Sequence, residues 1–261
     1  MGRWRDGREP EMTEKHDNEK GKREGVPANP LIVALDLGDW KELEEAALRL
    51  KGTVETVKVG LEAYAALGPA VLEMLKREGF RVFVDLKLHD IPRTAGRAVR
   101  ALAEKGADLL TLHCAGGLKM LEAACEEREA LRRKRGRAPL LLGVTVLTSL
   151  EGEDLRQTGV PDEPEGQVLR LARLAMRAGL DGLVASAREL PALRKELGSR
   201  PLLVVPGIRP AGTDRQDQAR VGTPASAMRD GADYLVVGRP VLQSDDPARS
   251  AREILEEMGW A

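Results

Sequence analysis

Cysteine, histidine and aromatic residues are all scarce in this chain, and neither sign of charge is in excess. Two cysteines, Cys114 and Cys125, stand in 261 residues. They are too few for a disulfide framework and lack the spacing of a metal site, so they are expected to be small buried hydrophobes in a reducing, cytoplasmic protein. No apolar run approaches the ~18 residues of a membrane-spanning helix. The N-terminus is charged from the outset and has no apolar core of signal-peptide type, so no secretory leader is expected. Lys and Arg number 41 against 42 Asp and Glu, a net charge of -1. That balance argues against nucleic acid as a partner, because phosphate contacts need clustered positive excess. With three Trp, two Tyr and two Phe, the core has to be built from Leu, Val, Ile and Ala. A P-loop, a GxGxxG after a strand and a helical HExxH are all missing, so no nucleotide cofactor and no metal are expected. His89 and His113 have no Ser or Cys at a recognisable spacing, which excludes a nucleophilic triad.

What is present begins after residue 29. The stretch 1–29 is dense in charge and turn residues and has neither helical nor strand period, so it reads as a flexible extension. From Leu31 onward, short apolar runs alternate with amphipathic ones. The apolar runs are LIVALD (31–36), TVKVG (56–60), RVFVDLK (81–87), DLLTLHC (108–114), LLLGVTV (140–146), GLVAS (182–186), LLVVPG (202–207) and YLVVG (234–238). Continuous Val/Leu runs of this kind mark strands buried on both faces of a parallel sheet. Between them lie helical patterns such as 41–52, 63–79, 94–106 and 166–179, several ending in Gly after a basic residue. A doubly wound open sheet shares this alternation. Eight strand–helix units over ~230 residues favour a (β/α)8 TIM barrel, a single domain over 30–261.

In such a barrel, chemistry sits at the C-terminal ends of the strands. Those ends carry Asp36, Lys58, Asp85 and Lys87. Period-two alternation puts Asp85 and Lys87 on one face, and Asp36 and Lys58 on neighbouring strands can project into the same mouth. Two readings of this array stand open: a structural salt-bridge network closing the barrel top, or alternating ammonium and carboxylate groups around a substrate. Asp90 follows at the opposite parity. Thr94 opens the next helix, as an N-cap or as a substrate contact. Past strands seven and eight, VVPGIRP (204–210) and YLVVGRP (234–240) each supply a Gly and an Arg, namely Arg209 and Gly238 with Arg239. Loops at these two positions often bind phosphate in barrel enzymes.

The string DLKLHDIPRT (85–94) resembles the DxKxxDIPxT signature of the orotidine 5'-phosphate decarboxylase family. The resemblance continues through ALD (34–36), VKVG (57–60), GVTVLTS (143–149), PGIR (206–209) and VVGRP (236–240), and it covers residues 31–258. It implies decarboxylation of orotidine 5'-monophosphate (OMP) to uridine 5'-monophosphate (UMP), the last step of de novo UMP biosynthesis, without a cofactor. By the same resemblance Lys87 donates a proton to C6, Asp85 faces the departing carboxylate, and Lys58 and Asp36 hold the ribose hydroxyls. Thr148 and Ser149 would face the pyrimidine, while Arg209, Gln218, Gly238 and Arg239 would grip the phosphate; Gln216 lies close to Gln218 in the same loop. Asp90 and Thr94 would enter the neighbouring subunit's site, which implies a homodimer with shared active sites. A related family decarboxylates sugar phosphates such as 3-keto-L-gulonate 6-phosphate with Mg²⁺ and a similar DxKxxD string. Its members have a metal-binding carboxylate where this chain has Lys58, and the IPxT and PGIR strings point away from it. A non-catalytic nucleotide-binding barrel is disfavoured by the presence of Lys58, Asp85, Lys87 and Asp90 together.

Overall fold

The computed structural model describes residues 28–161, 163–209 and 222–260. Each apolar run becomes a parallel strand: β1 (Leu31–Ala34), β2 (Thr56–Gly60), β3 (Arg81–Leu88), β4 (Leu109–His113), β5 (Leu140–Val144), β6 (Gly182–Val184), β7 (Leu202–Val205) and β8 (Tyr234–Val237). They pair in sequence order and β8 returns to β1, so the sheet closes into a barrel rather than staying open. Around it lie α1 (Trp40–Leu50), α2 (Leu61–Leu67), α3 (Ala70–Arg77), α4 (Pro92–Glu104), α5 (Leu118–Arg135), α6 (Gly152–Gln157), α7 (Pro164–Ala178), α8 (Leu190–Leu197), α9 (Pro224–Arg229), α10 (Arg239–Leu242) and α11 (Pro247–Glu257). Among the described residues, no helix is long and apolar enough to cross a membrane.

Strand alternation divides the apolar residues into two cores. One parity fills the lumen with Ile32, Ala34, Phe83, Leu109, Leu142 and Val204, among others. The other faces the helices and joins Val33, Val57, Val82, Leu110, Leu141 and Leu203 to the apolar stripes around them. The lumen is thereby a packed core, and only its C-terminal mouth is open to function. Cys114 and Cys125 are free and buried, as expected; burial pushes their thiols up to about 12 and about 11, which makes them inert packing groups.

One helical pattern is two helices. The stretch 63–79 breaks between α2 and α3, where Gly68 takes φ +67° and Pro69 follows it. Proline has no N–H for the preceding turn, and only glycine adopts that φ at no steric cost. The barrel also starts slightly before residue 30. Asn29 Nδ2 donates to Thr53 O at 3.0 Å, its Oδ1 accepts from Leu31 N at 3.0 Å, and Ala28 N donates to Glu55 Oε2 at 2.8 Å. Residues 1–27 of the expected extension lie outside the described residues.

The N-terminal floor of the barrel is fastened by one device used three times. Asp108, Asp181 and Asp233 immediately precede or open onto β4, β6 and β8. Asp108 Oδ2 accepts from Val82 N at 2.8 Å and from Lys76 Nζ at 2.6 Å. Asp181 Oδ2 accepts from Leu141 N at 2.8 Å and from the buried Arg128 at 2.5 Å. Asp233 Oδ2 accepts from Leu203 N at 2.7 Å and from Arg194 at 2.7 Å. Each acid thus satisfies an amide of the preceding strand and a cation of the helix before that strand. These charges serve the fold; the charges at the other end have no such backbone duty in common.

Candidate active site

Polar residues take over the lumen parity where β1 to β4 reach the mouth. On β1 it runs Ile32, Ala34 and then Asp36; on β2, Thr56 and Lys58; on β3, Phe83 and Asp85; on β4, Leu109 and Thr111. Lys58 Nζ lies 3.0 Å from Asp36 Oδ1 and 3.7 Å from Asp85 Oδ2. Lys87 Nζ donates to both oxygens of Asp85, at 3.0 Å each. The four groups therefore form a chain of alternating sign, Asp36–Lys58–Asp85–Lys87. Their side chains are 48%, 11%, 15% and 29% exposed in that order, so the array runs from the rim into the mouth. Gly60 makes room for it, because a Cβ there would lie 3.0 Å from both Asp36 Oδ1 and Lys58 Nζ.

Asp85 and Lys87 meet as period two anticipates, but not on a regular strand. The pairing of β3 with β4 shifts register between Val84 and Leu88, and Lys87 adopts φ +51°, the left-handed region. The broken ladder is bridged by Thr111, whose Oγ1 accepts from Lys87 N at 2.9 Å and donates to Asp85 Oδ1 at 2.9 Å. Thr111 is absent from the sequence-based expectations. Threonine is an ordinary strand residue, so nothing in LLTLH marks it out before its partners on β3 are known. His113, at the end of β4, stands with its ring 5.5 Å from that of His89. Burial, reinforced by His89 and Lys87, pushes the His113 imidazole below the ordinary histidine range, so it stays neutral at pH 7.

The charged chain faces two joined cavities. The first, about 140 Å³, is bounded by Lys58, Asp85 and Lys87 on one side and by Val144, Val146, Leu147 and Ala185 opposite, with Thr148 at its edge. The second, about 520 Å³, extends from Asp36 and Lys58 past Pro206 to Arg209, Gly238 and Arg239. Lys58, Asp85, Pro206 and Val236 belong to both, so one cleft has an apolar end, a charged middle and a cationic end. Glu62 and Gln243, which the sequence did not single out, line the second cavity.

Three expected residues stand apart from the cluster. Asp90 lies exposed beyond the end of β3, where its Oδ1 accepts from Ile91 N at 2.7 Å. Thr94 is exposed in the first turn of α4; the N-cap of that helix is Ile91 with Pro92 following, so the capping alternative for Thr94 fails. Ser149 is exposed while its neighbour Thr148 turns to the cavity. Gln216 and Gln218 lie outside the described residues.

Residues 29–254 match the family model described as Orotidine 5'-phosphate decarboxylase / HUMPS family. The protein named orotidine 5'-phosphate decarboxylase of Moorella thermoacetica is 51% identical over 233 residues, covering 87% of this chain and 91% of that one. Its namesake from Pseudomonas paraeruginosa is 50% identical over 237 residues, covering 88% of this chain and 98% of the relative. Among solved structures, orotidine 5'-phosphate decarboxylase from Lactobacillus acidophilus superposes with a TM-score of 0.79 at 35% identity, covering 88% of this chain and 99% of that one.

Proposed function

The chain belongs to the orotidine 5'-phosphate decarboxylase / HUMPS family, and on that premise we propose how its cleft converts OMP to UMP and carbon dioxide. The observation that carries the reading is the Asp36–Lys58–Asp85–Lys87 chain set between an apolar slot and two arginines. A nucleoside monophosphate has the same three parts: a flat base, a hydroxylated sugar and a dianion. The base fits the apolar slot, with Thr148 reading its polar edge; Ser149, exposed beside it, is assigned there by resemblance alone. Asp36 and Lys58 hold the ribose hydroxyls. Arg209 and Arg239, with the backbone at Gly238, take the phosphate by charge-assisted hydrogen bonds; Gln218 is assigned to the same group by resemblance alone.

In the chemical step, the bond from C6 to the carboxylate breaks and its electron pair stays on C6 as carbon dioxide leaves. The resulting sp² carbanion has little resonance relief, so a fixed ammonium beside it is the main source of stabilisation. Lys87 supplies that charge and then its proton, giving the C6–H of UMP. The amine left on Lys87 regains a proton from water. Asp85, bound to Lys87 through both oxygens, holds the ammonium in place and borders the departing carboxylate.

The reading is cofactor-free. Lys58 places its ammonium between Asp36 and Asp85, the position a divalent cation would need, and so neutralises the carboxylates itself. It also includes a homodimer in the cytoplasm, with Asp90 and Thr94 reaching into the neighbouring subunit's site. Support for the dimer comes from Ile91, which sits between those two residues in sequence and at 67% exposure is the most exposed large apolar side chain among the described residues. The test is the fall in OMP absorbance catalysed by the purified chain, with and without EDTA. Turnover that is indifferent to EDTA is expected. Turnover lost with EDTA and restored by Mg²⁺ would overturn the cofactor-free reading.

A further inference from the structure

We propose that Thr111 is a positioning residue for this reaction, one hydroxyl that sets where the Lys87 ammonium stands. The proposal rests on the reading of Lys87 as the proton donor. Val84 pairs with Leu110 and Leu88 with Leu112, so Asp85, Leu86 and Lys87 on β3 face the single residue Thr111 on β4. A regular ladder offers each strand amide a carbonyl across the gap. Here the extra residues deny Lys87 N that partner, and the side chain of Thr111 replaces it. Among the described residues, Lys87 is the one residue other than glycine with positive φ. A conformation of this kind persists only where the surroundings enforce it.

The hydroxyl both accepts and donates. It accepts from Lys87 N and gives its proton to Asp85 Oδ1, each at 2.9 Å, and Thr111 is 1% exposed. Asp85 in turn accepts from Lys87 Nζ. Backbone and tip of the same lysine are thus referenced to one oxygen: Lys87 N, Thr111 Oγ1, Asp85 Oδ1, Lys87 Nζ, in a closed ring. Without the hydroxyl, the bulge is free to relax, Asp85 loses a donor, and the ammonium is no longer fixed against C6. The phosphate and ribose contacts are carried by other strands, and of these only Lys58 meets Asp85, at 3.7 Å and through the oxygen that Thr111 does not bind. A fault in aim, not in binding, follows.

Full-length Thr111→Val, Thr111→Ser and Lys87→Ala proteins are to be assayed for kcat and KM on OMP, each with a thermal unfolding curve. Thr111→Val is expected to lower kcat about tenfold or more with KM within about threefold, since small misplacements at a reacting centre cost rate rather than affinity. Thr111→Ser, which keeps the hydroxyl, is expected to stay within about threefold of the parent in both constants. A Thr111→Val protein with parental kcat, or a Thr111→Ser protein as slow as Thr111→Val, overturns the proposal. If Thr111→Val does not fold, Thr111→Ala against Thr111→Ser makes the same comparison. Lys87→Ala separates the two readings: if it stays active, the assignment of the proton donor fails; if it is dead while Thr111→Val is unaffected, only the role of Thr111 fails.

Discussion

At the scale of single residues, the proposed reading assigns binding and chemistry to different parts of the cleft, and two substitutions test that division. Lys87→Ala removes the ammonium that matters most once negative charge develops on C6. It is expected to lower kcat by at least about a hundredfold while the product UMP still binds, because Arg209 and Arg239 remain. A steady-state assay paired with a UMP titration checks this, and a variant with more than about a tenth of the parental kcat would remove Lys87 from the proton-donor role. Arg239→Ala acts at the other end of the cleft and should raise KM about tenfold or more through loss of a charge-assisted grip on the dianion; an unchanged KM would move the phosphate elsewhere. Asp36, Lys58, Asp85 and Lys87 were legible in the sequence because charged side chains inside apolar strands are conspicuous. Thr111 was not, because threonine is an ordinary strand former and its hydroxyl signals nothing until its neighbours are known. Thr94 was legible as a residue opening a helix, with its place in a site given only by resemblance, and Ser149 was legible through the resemblance alone; within one subunit both are exposed.

At the scale of elements, all eight strands were legible, since helices cover every one and leave a continuous apolar run to read. Closure into a barrel rested on their number, which periodicity alone does not convert into a topology. The bulge in β3 left no mark in sequence: DLKL reads as a plain alternating strand, and the extra residues are visible only against the register of β4. The floor acids were equally silent, being aspartates in turns like many others. They do, however, differ in what they neutralise. Arg128 is 8% exposed beside Asp181, whereas Lys76 is 30% exposed beside Asp108. Asp181→Ala takes one carboxylate from a buried guanidinium that keeps Glu129 and the Gly179 carbonyl, and is expected to cost about 3 kcal/mol, the lower end of the range for a broken buried pair. Asp108→Ala leaves an ammonium that reaches water, so its cost is that of one unmet strand amide, about 1–3 kcal/mol. Urea unfolding midpoints at matched slopes compare the two. Equal losses would show that the amide, and not the buried cation, sets the cost. The kcat of both folded variants should match the parent, because the floor lies at the opposite end of the barrel from the cleft.

At the scale of the whole molecule, the question is whether one barrel holds a complete site. Asp90 lies beyond β3, exposed and bonded to its own neighbour's amide, while Asp85 and Lys87 close on each other inside the mouth. The proposed assignment of Asp90 to a second subunit accounts for a carboxylate of this signature that is exposed and bonds to the Ile91 amide. Under two-fold pairing the same patch meets itself, so each of two sites would take Lys87 from one subunit and Asp90 from the other. Lys87→Ala and Asp90→Ala homodimers are then both expected to be inactive. When they are mixed and exchanged, one site of each mixed dimer inherits both defects and the other receives both intact side chains. Random exchange makes half of the dimers mixed with one good site each, so about a quarter of parental activity should return. Mass spectrometry of the intact dimers confirms that exchange has occurred. Full exchange without recovered activity would place Asp90 in the site of its own subunit or outside the chemistry, and the barrel would then have to complete its active site alone.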